Sequence, residues 1–245
     1  MNTPVPPDTA PRSDEDRERY VEERHALLWL LAHVRAGKPL PVTEAEAVVH
    51  ALYVGLQRAG RGELPQLGMK DAMDYGAVHA LDVAMLSMAV AEQVGFEPAD
   101  VRAVGLAGLL MDIGMARLPA GLLTKTTRLT EDERTQVKTH PVEGARILLE
   151  ADGRLSLAAT VAYEHHLKLD GSGYPHLTYP RTPHPVSRLV QLCDNYHALR
   201  TPRPYREAWP REIVLDFIRQ RAGFEFDPDF AGQLTAVVES QADGY

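Results

Sequence analysis

The sequence predicts an all-α protein with one main domain. Along most of the 245 residues, apolar side chains recur at the spacing that places them on one face of a helix. Glycine and proline mark the loops between these segments, and no segment alternates apolar and polar residues as a half-buried strand does. A hydrophobic content of 44% is enough to bury one substantial core with a small helical annex beside it.

The N-terminal part of the chain is predicted to hold a leader and this annex. Residues 1–13 are rich in proline, threonine and aspartate and cannot bury enough apolar surface to pack, so they are expected to be disordered. Residues 14–68 are expected to form the annex, with one helix in DRERYVEERHALLWLLAHVRAG and another in TEAEAVVHALYVGLQRAG, each closed by a glycine. The main domain then covers residues 69–242.

Charge and composition exclude several classes of function. The net charge of -8 disfavours binding to a nucleic-acid polymer, which needs an extended basic surface, but it allows a small anionic ligand held by a few arginines. The single cysteine, Cys193, excludes an intrachain disulfide and fits a reducing compartment. No apolar run is expected to approach the ~18 residues of a membrane span, and the N-terminus lacks a secretion signal, so we expect a cytoplasmic protein without a membrane partner.

Two consecutive helices carry ionisable groups toward the core. His79, in AVHALDVAMLSMAVAEQVGF, shares a helix face with valine and leucine residues. The next helix, predicted over about residues 98–113, places Asp112 on a face of small and apolar residues. A buried carboxylate without a partner is costly, and the neighbouring Met111 and Met115 cannot supply one. The partner of Asp112 must therefore come from another element.

A helix junction provides the next candidate residue. In RLTEDERTQVKTHPVEGARILLE, Thr130 and Glu133 form a capping-box pattern that starts a helix. Pro141 interrupts the helical pattern and leaves His140 at the junction between two helices. A histidine in this position is either a local hydrogen-bonding group or a metal ligand.

Three further candidates follow in the C-terminal half. His165 and His166, in AYEHHLKLDGSGYPHL, diverge by about 100° on a helix. Both can therefore bind one ion only if it lies at the helix end. In the turn that follows, Gly171 and Gly173 provide a permissive backbone. Asp194, in VSRLVQLCDNYHALRTPRPYRE, lies on an apolar helix face and is expected to be a second buried carboxylate.

Each of these features alone has an ordinary structural explanation, such as a hydrogen-bonded core histidine or a chance surface pair. Together they provide six nitrogen and oxygen ligands at buried or junction positions: His79, Asp112, His140, His165, His166 and Asp194. Such a set suits a divalent ion such as Fe, Mn or Zn, which can activate water for hydrolysis of a phosphate ester.

The order of these motifs resembles the HD-GYP family. His79 is followed by MDIG, THP, HHLKLDGSGYP and SRLVQLCDNYHALRTPRPYR, and the resemblance covers roughly residues 69–240, including the closing GFEFDPDF. It implies the multi-helix fold of the HD superfamily, a cluster of divalent metal ions, and a cyclic di-GMP phosphodiesterase in bacterial second-messenger signalling.

The resemblance also implies a role for each ligand. Asp112 would be the catalytic aspartate that bridges two ions, one of them bound also by His140, His165 and His166. The second ion would use His79, Asp112, Asp194 and the family's HD histidine, but Met111 stands at that position. Tyr75 replaces the carboxylate that holds a third ion in some members, so one or two ions are expected.

The substrate-facing positions are partly retained. The resemblance implies that Tyr174, Pro175, Arg203 and Arg206 contact the nucleotide, and all of them are present. Three positions depart from the family pattern, where Met115 replaces a lysine, Leu167 a glutamate and His197 the second aspartate of a DxxDA stretch.

Two functions remain open from the sequence. The first is a weak or unusual phosphodiesterase acting on cyclic di-GMP or a related phosphate ester. The second is a catalytically inactive module that keeps the fold and binds cyclic di-GMP or a signalling protein through the GYP surface. No sensor domain is visible in the sequence, so regulation would come from a protein partner or from a homodimer.

Overall fold

A computed structural model describes residues 20–59, 75–123, 125, 127–179, 181–202 and 206–241. Eleven α-helices lie within these residues: α1 Val21–Arg35, α2 Val42–Ala59, α3 Tyr75–Val94, α4 Pro98–Leu110, α5 Ala120–Leu123, α6 Glu131–Val137, α7 His140–Ala151, α8 Ser156–Glu164, α9 Pro185–Arg200, α10 Arg211–Arg221 and α11 Pro228–Glu239. This described part contains no β-strand, and the all-α prediction is confirmed. The leader, residues 14–19 and the 68/69 domain boundary lie outside the described residues.

The two predicted annex helices, α1 and α2, belong to the same hydrophobic core as the rest of the chain. Helix α1 buries Leu27, Leu30 and Val34, and α2 likewise turns a stripe of alanine, valine and leucine inward. Both helices pack on α3 and add to one continuous cluster of buried side chains. As predicted, a glycine follows the first helix, and Gly37 has the left-handed φ of 77° that suits this residue.

Helix α3 forms the centre of the core and packs against α4 and α9. By length and composition alone it could cross a membrane, so the expectation that no apolar run approaches this length was wrong. The physical reason is burial on nearly all sides, since 78% of the relevant window is buried inside the protein. Gly108 of α4 permits the close approach of the two helices, because a Cβ there would lie 3.2 Å from the Cα of Ala84.

Helix α4 ends earlier than the sequence predicted. It stops at Leu110, and Asp112 lies after it with φ -98° and ψ 11°, at the start of a 3-10 turn over Ile113–Arg117. The turn packs on the first turn of α7, where Gly114 meets the backbone of His140. This tertiary contact redirects the chain and removes Asp112 from the helix that was expected to carry it.

The junction before α7 agrees with the sequence prediction. Thr130 and Glu133 form the capping box at the start of α6, with both reciprocal hydrogen bonds present. Helix α6 ends at Val137, and His140 is the first residue of α7 with Pro141 immediately after it. His140 is thereby fixed at a helix start, with its side chain buried.

Glu164 ties the end of α8 to the start of α9. This buried carboxylate accepts hydrogen bonds from the backbone N–H of His184 at 2.7 Å and from the Ser187 hydroxyl at 2.8 Å. Arg181 pairs with its other oxygen at 2.7 Å. The residue directly before the paired histidines is thus held by the following helix, which fixes where α8 ends.

The turn after the paired histidines is held from two sides. The N–H of Asp170 donates to the carbonyl of Phe224 at 2.8 Å, and Lys168 pairs with Glu225 at 2.9 Å. Gly173 has a φ of 101°, and a Cβ there would collide with the carbonyl oxygen of His166. The turn can therefore fold back over the end of α8 only with glycine at this position.

Gly114→Ala tests the contact that redirects the chain at Asp112. A Cβ at this position would collide with the carbonyl oxygen of His140 and lie 2.6 Å from the Gly144 nitrogen, so backbone must move. We expect the free energy of unfolding in urea to fall by about 2 kcal/mol or more. Gly153→Ala is the matched control, since a Cβ there meets no atom within 4 Å. Equal stability of the two variants would show that the contact is not constraining.

Candidate metal centre

Four predicted ligands meet in one place. Asp112, His140, His165 and His166 each offer a ligand atom, and these atoms all lie within 4.8 Å of one another. They come from the turn after α4, the first residue of α7 and the end of α8. Helix α8 ends at Glu164, so both adjacent histidines lie at a helix end, which is the condition that the sequence set for shared binding.

Backbone carbonyls fix the proton positions on two of these rings. His140 Nδ1 lies 2.8 Å from the carbonyl oxygen of Val137, and His165 Nδ1 lies 2.9 Å from that of Ala162. A carbonyl oxygen only accepts hydrogen bonds, so both Nδ1 atoms must carry a proton. In the neutral rings, both Nε2 atoms are therefore lone-pair acceptors.

These acceptors face a third acceptor. The Nε2 atoms of His140 and His165 lie 3.2 Å apart, and Asp112 Oδ1 lies 3.1 Å from the first and 3.6 Å from the second. Asp112 Oδ1 is buried and has no hydrogen-bond partner in the described part of the chain. Acceptors that converge in this way require a positive charge between them. The Asp112 side chain remains 31% exposed, so one side of the site is open to water or a ligand.

The electrostatics of the site favour a cation. Burial acts to raise the pKa of Asp112, but the facing imidazoles of His140 and His165 outweigh it and hold this pKa well below its ordinary value. Burial acts to lower the pKa of His165, whereas the Asp112 carboxylate outweighs it and raises that pKa. Both shifts have one meaning, which is that the site stabilises a positive charge, either a proton on His165 or a metal ion.

His166 offers a neutral imidazole to the same group of residues. Burial and the neighbouring His165 lower the pKa of its imidazole to about 3. The ring therefore keeps an available lone pair at neutral pH, as a metal ligand must. All four ligands fit a divalent ion that prefers nitrogen and oxygen donors.

A second pair of predicted ligands lies beside this group. His79 Nε2 is 3.0 Å from Asp194 Oδ1, and both side chains are largely buried. Burial and the negative charge of Asp112 both act to raise the pKa of Asp194. The contact with His79 outweighs them, so the pKa of Asp194 lies below its ordinary value. Met111 is fully buried in the hydrophobic core, so the residue at the position of the missing histidine contributes packing.

The residues expected to meet the substrate divide into two groups. Tyr174 lies against His166, with 4.4 Å between the two ring centroids, and Pro175 follows it. Arg206 instead donates to the carbonyl of Ala198 near the end of α9, which is the helix-end role that arginines often have. Arg203 lies outside the described residues.

Three residues in or near the candidate metal centre were not singled out from the sequence. Lys138 lies with Nζ 5.7 Å from the centre of the Tyr174 ring, and Glu164 anchors the end of α8. Asp82 lies on α3 and contacts His197, with 2.9 Å between the carboxylate Oδ2 and the ring Nε2. The sequence signal for Asp82 was its charge in an otherwise apolar helix, three residues after His79.

Comparisons with known proteins agree with this arrangement. A family model described as HD domain matches residues 56–230. Cyclic di-GMP phosphodiesterase PA4108 from Pseudomonas aeruginosa is 31% identical over 205 residues, which are 83% of this chain and 49% of the relative. The cyclic di-GMP phosphodiesterase response regulator RpfG from Xanthomonas campestris pv. campestris is 36% identical over 140 residues, which are 57% of this chain and 37% of the relative. The chain thus spans about half or less of these relatives' lengths.

A solved structure supports the fold. Bd1817, an HDG"Y"P protein from Bdellovibrio bacteriovorus, aligns with a TM-score of 0.66 over 95% of this chain and 75% of that chain. At 16% sequence identity, this likeness shows the fold alone.

His166→Ala tests the four-ligand site. Removal of one of its four ligands should reduce the bound metal, measured by elemental analysis after Mn²⁺ loading, and should lower the melting temperature of the loaded protein, because metal binding stabilises the folded state. His176→Ala is the matched control, since this histidine is exposed on the same loop. Full metal content in His166→Ala would show that the site is wrongly assigned.

Proposed function

This chain belongs to the HD domain family, and we propose that it is a metal-dependent phosphodiesterase of the HD-GYP type that hydrolyses a cyclic dinucleotide. The resemblance seen in the sequence is confirmed by the relatives named as cyclic di-GMP phosphodiesterases. One observation of the structure carries the proposal. With both imidazole rings neutral, three acceptor atoms, from Asp112, His140 and His165, converge on one place, which suits a bound cation.

The proposed cofactor is one or two divalent ions. Asp112, His140, His165 and His166 would hold one, and His79 and Asp194 would hold a second together with Asp112. The donors are imidazole and carboxylate groups without thiolate, a set that suits Fe or Mn and also admits Zn. Bound ions of this kind polarise a phosphate oxygen and supply hydroxide near neutral pH.

The chain's own residues would prepare the site for an anionic substrate. Asp112 stays ionised because the facing imidazoles lower its pKa, and its exposed side is where a phosphate could approach. Tyr174 offers an aromatic face beside His166, and Lys138 brings an ammonium group to that face. The family has a lysine at the position of Met115, which would stabilise the phosphate charge. In this chain, Lys138 would take over that role.

The proposed substrate is cyclic di-GMP. The names of both relatives support it, as do the retained Tyr174, Pro175, Arg203 and Arg206, which we propose contact the nucleotide. To reach the nucleotide, Arg206 would have to give up its present hydrogen bond to the carbonyl of Ala198. A cytoplasmic location, a protein partner on the GYP surface and a homodimer remain predictions.

An inactive binding module is the alternative that Met111 raises. The loss of an imidazole leaves His79, Asp194 and Asp112 for the second ion. Three protein ligands are nevertheless the usual number in open catalytic sites. The relatives are named as phosphodiesterases, so the comparisons do not favour the inactive alternative.

Metal content and turnover, measured on the same purified protein, test the proposal. We expect divalent ions together with hydrolysis of cyclic di-GMP, and slower hydrolysis of 3'3'-cGAMP, in which one guanine is replaced. Asp112→Asn should reduce turnover by more than about 100-fold. This loss is larger than the typical effect of removing a residue that only hydrogen-bonds to a metal ligand. Asp132→Asn, on the exposed side of α6, is the matched control. Nucleotide binding without turnover in the metal-loaded parent would instead support the binding module.

Met111→His tests whether one missing ligand limits catalysis. The imidazole should raise occupancy of the second ion and with it the rate of cyclic di-GMP hydrolysis, and adding Met115→Lys should raise the rate further by opposing phosphate charge. The metal-free Met111→His protein should be less stable than the parent, because the change buries a polar group in the core. If the double variant gains neither metal nor rate, departures such as Leu167 and His197 must also limit the site.

A further inference from the structure

We propose that Asp82 and His197 are positioning residues for the metal ligand His79, and that they fix the tautomer of His79 that keeps a lone pair on Nε2, the nitrogen beside Asp194. The observation is an unbroken line of side-chain contacts that runs from Asp82 through His197 and His79 to Asp194. The inference rests on the metal centre of the proposed function and adds to it two residues that are not ligands.

The contacts are short and largely removed from solvent. His197 Nε2 lies 2.9 Å from Asp82 Oδ2, and His197 Nδ1 lies 2.7 Å from His79 Nδ1. On the far side of the His79 ring, Nε2 lies 3.0 Å from Asp194 Oδ1. The side chains of Asp82 and His197 are 7% and 12% exposed, so water competes little for these contacts.

The partners of His197 determine where its proton lies. The Asp82 carboxylate can only accept a hydrogen bond from Nε2. Thr201 lies on the same side, with Oγ1 3.3 Å from Nε2, and its hydroxyl proton is already donated to the His197 carbonyl at 2.8 Å. Both groups near Nε2 are therefore acceptors, and His197 Nε2 must carry a proton.

The tautomer of His79 then follows. With the proton on Nε2, the neutral ring of His197 presents Nδ1 as an acceptor, and His79 Nδ1–H donates to it. The neutral His79 ring keeps a lone pair on Nε2, the atom that lies beside Asp194. This is the tautomer that binds a metal through Nε2, and a hydrogen bond at the other ring nitrogen is the usual way to fix it.

Without His197, the second carboxylate would select the opposite tautomer. Asp194 Oδ1 lies 3.0 Å from His79 Nε2, and a carboxylate is best satisfied by a nitrogen that carries a proton. A proton on Nε2 would occupy the lone pair needed for the ion. The contact with His197 therefore opposes the preference of Asp194 and keeps the ligand atom available.

A purely stabilising role explains Asp82 less well. It lies in α3, the most apolar helix of the core, and its Oδ1 is buried with no hydrogen-bond partner within the described ranges. A buried carboxylate that is only partly satisfied is an expensive way to join two helices. Orientation of His79 is a use that requires both the charge and this position.

The tautomer can be read directly in the metal-free protein. Two-bond proton–nitrogen correlation spectra of the full chain, labelled with ¹⁵N-histidine, distinguish the two tautomers, and His79→Gln identifies the signals. We expect His79 to carry its proton on Nδ1 in the parent. His197→Leu and Asp82→Leu should each move it toward Nε2, and should weaken binding of the His79-dependent Mn²⁺ ion by roughly 10- to 100-fold in calorimetric titrations.

His197→Asn provides the rescue. Its Oδ1 can take the place of the ring Nδ1 as an acceptor, so it should restore most of the parent tautomer and affinity that His197→Leu loses. Leu189→Ala is the control for stability, since this side chain is fully buried on the same helix. Its loss should lower the melting temperature without changing the His79 tautomer or the Mn²⁺ affinity.

The outcomes separate this inference from the proposed function. If the parent binds no divalent ion, the metal centre and the proposed function fail. If the parent binds Mn²⁺ but carries the His79 proton on Nε2, or if both leucine variants fold and leave tautomer and affinity unchanged, only the positioning role is overturned.

Discussion

The site depends on holding three proton acceptors against one another. Asp112 Oδ1 and the Nε2 atoms of His140 and His165 converge because the opposite nitrogen of each ring donates to the backbone carbonyl three residues earlier in the chain. Convergence of lone pairs in a buried place is unfavourable unless a cation fills it. The rest of the fold must therefore be rigid enough to keep the acceptors together, and a bound ion would return stability to the folded state.

The ends of two helices provide this rigidity. Helix α4 stops at Leu110, and the following turn packs Gly114 against the backbone of His140, so the Asp112 carboxylate and its facing imidazole are held by one contact. Helix α8 stops at Glu164, which the start of α9 binds through a backbone N–H and a hydroxyl. Both devices use helix ends, where the backbone can change direction while the helices themselves stay packed.

The sequence predicted the parts that local pattern determines. Helical spacing gave α1 to α4, the capping box gave the start of α6, and Pro141 placed His140 at a junction. The early end of α4 could not be seen, because it results from tertiary packing at Gly114. The contact between Asp82 and His197 joins residues 115 apart, and no local pattern records such a pair.

Met111 shows why the fold can outlast the loss of a ligand. Its side chain is fully buried among apolar neighbours, so a methionine there satisfies the core even though it gives up a position expected for an imidazole. The second ion would then depend on fewer protein ligands, and each remaining one must be better oriented to give the same affinity. His197 lies 2.7 Å from His79 Nδ1 and would supply that orientation under our proposal, and it stands where the family pattern has an aspartate. Under this proposal the two departures from the family pattern would act on the same ion, one by removing a ligand and the other by orienting a ligand that remains.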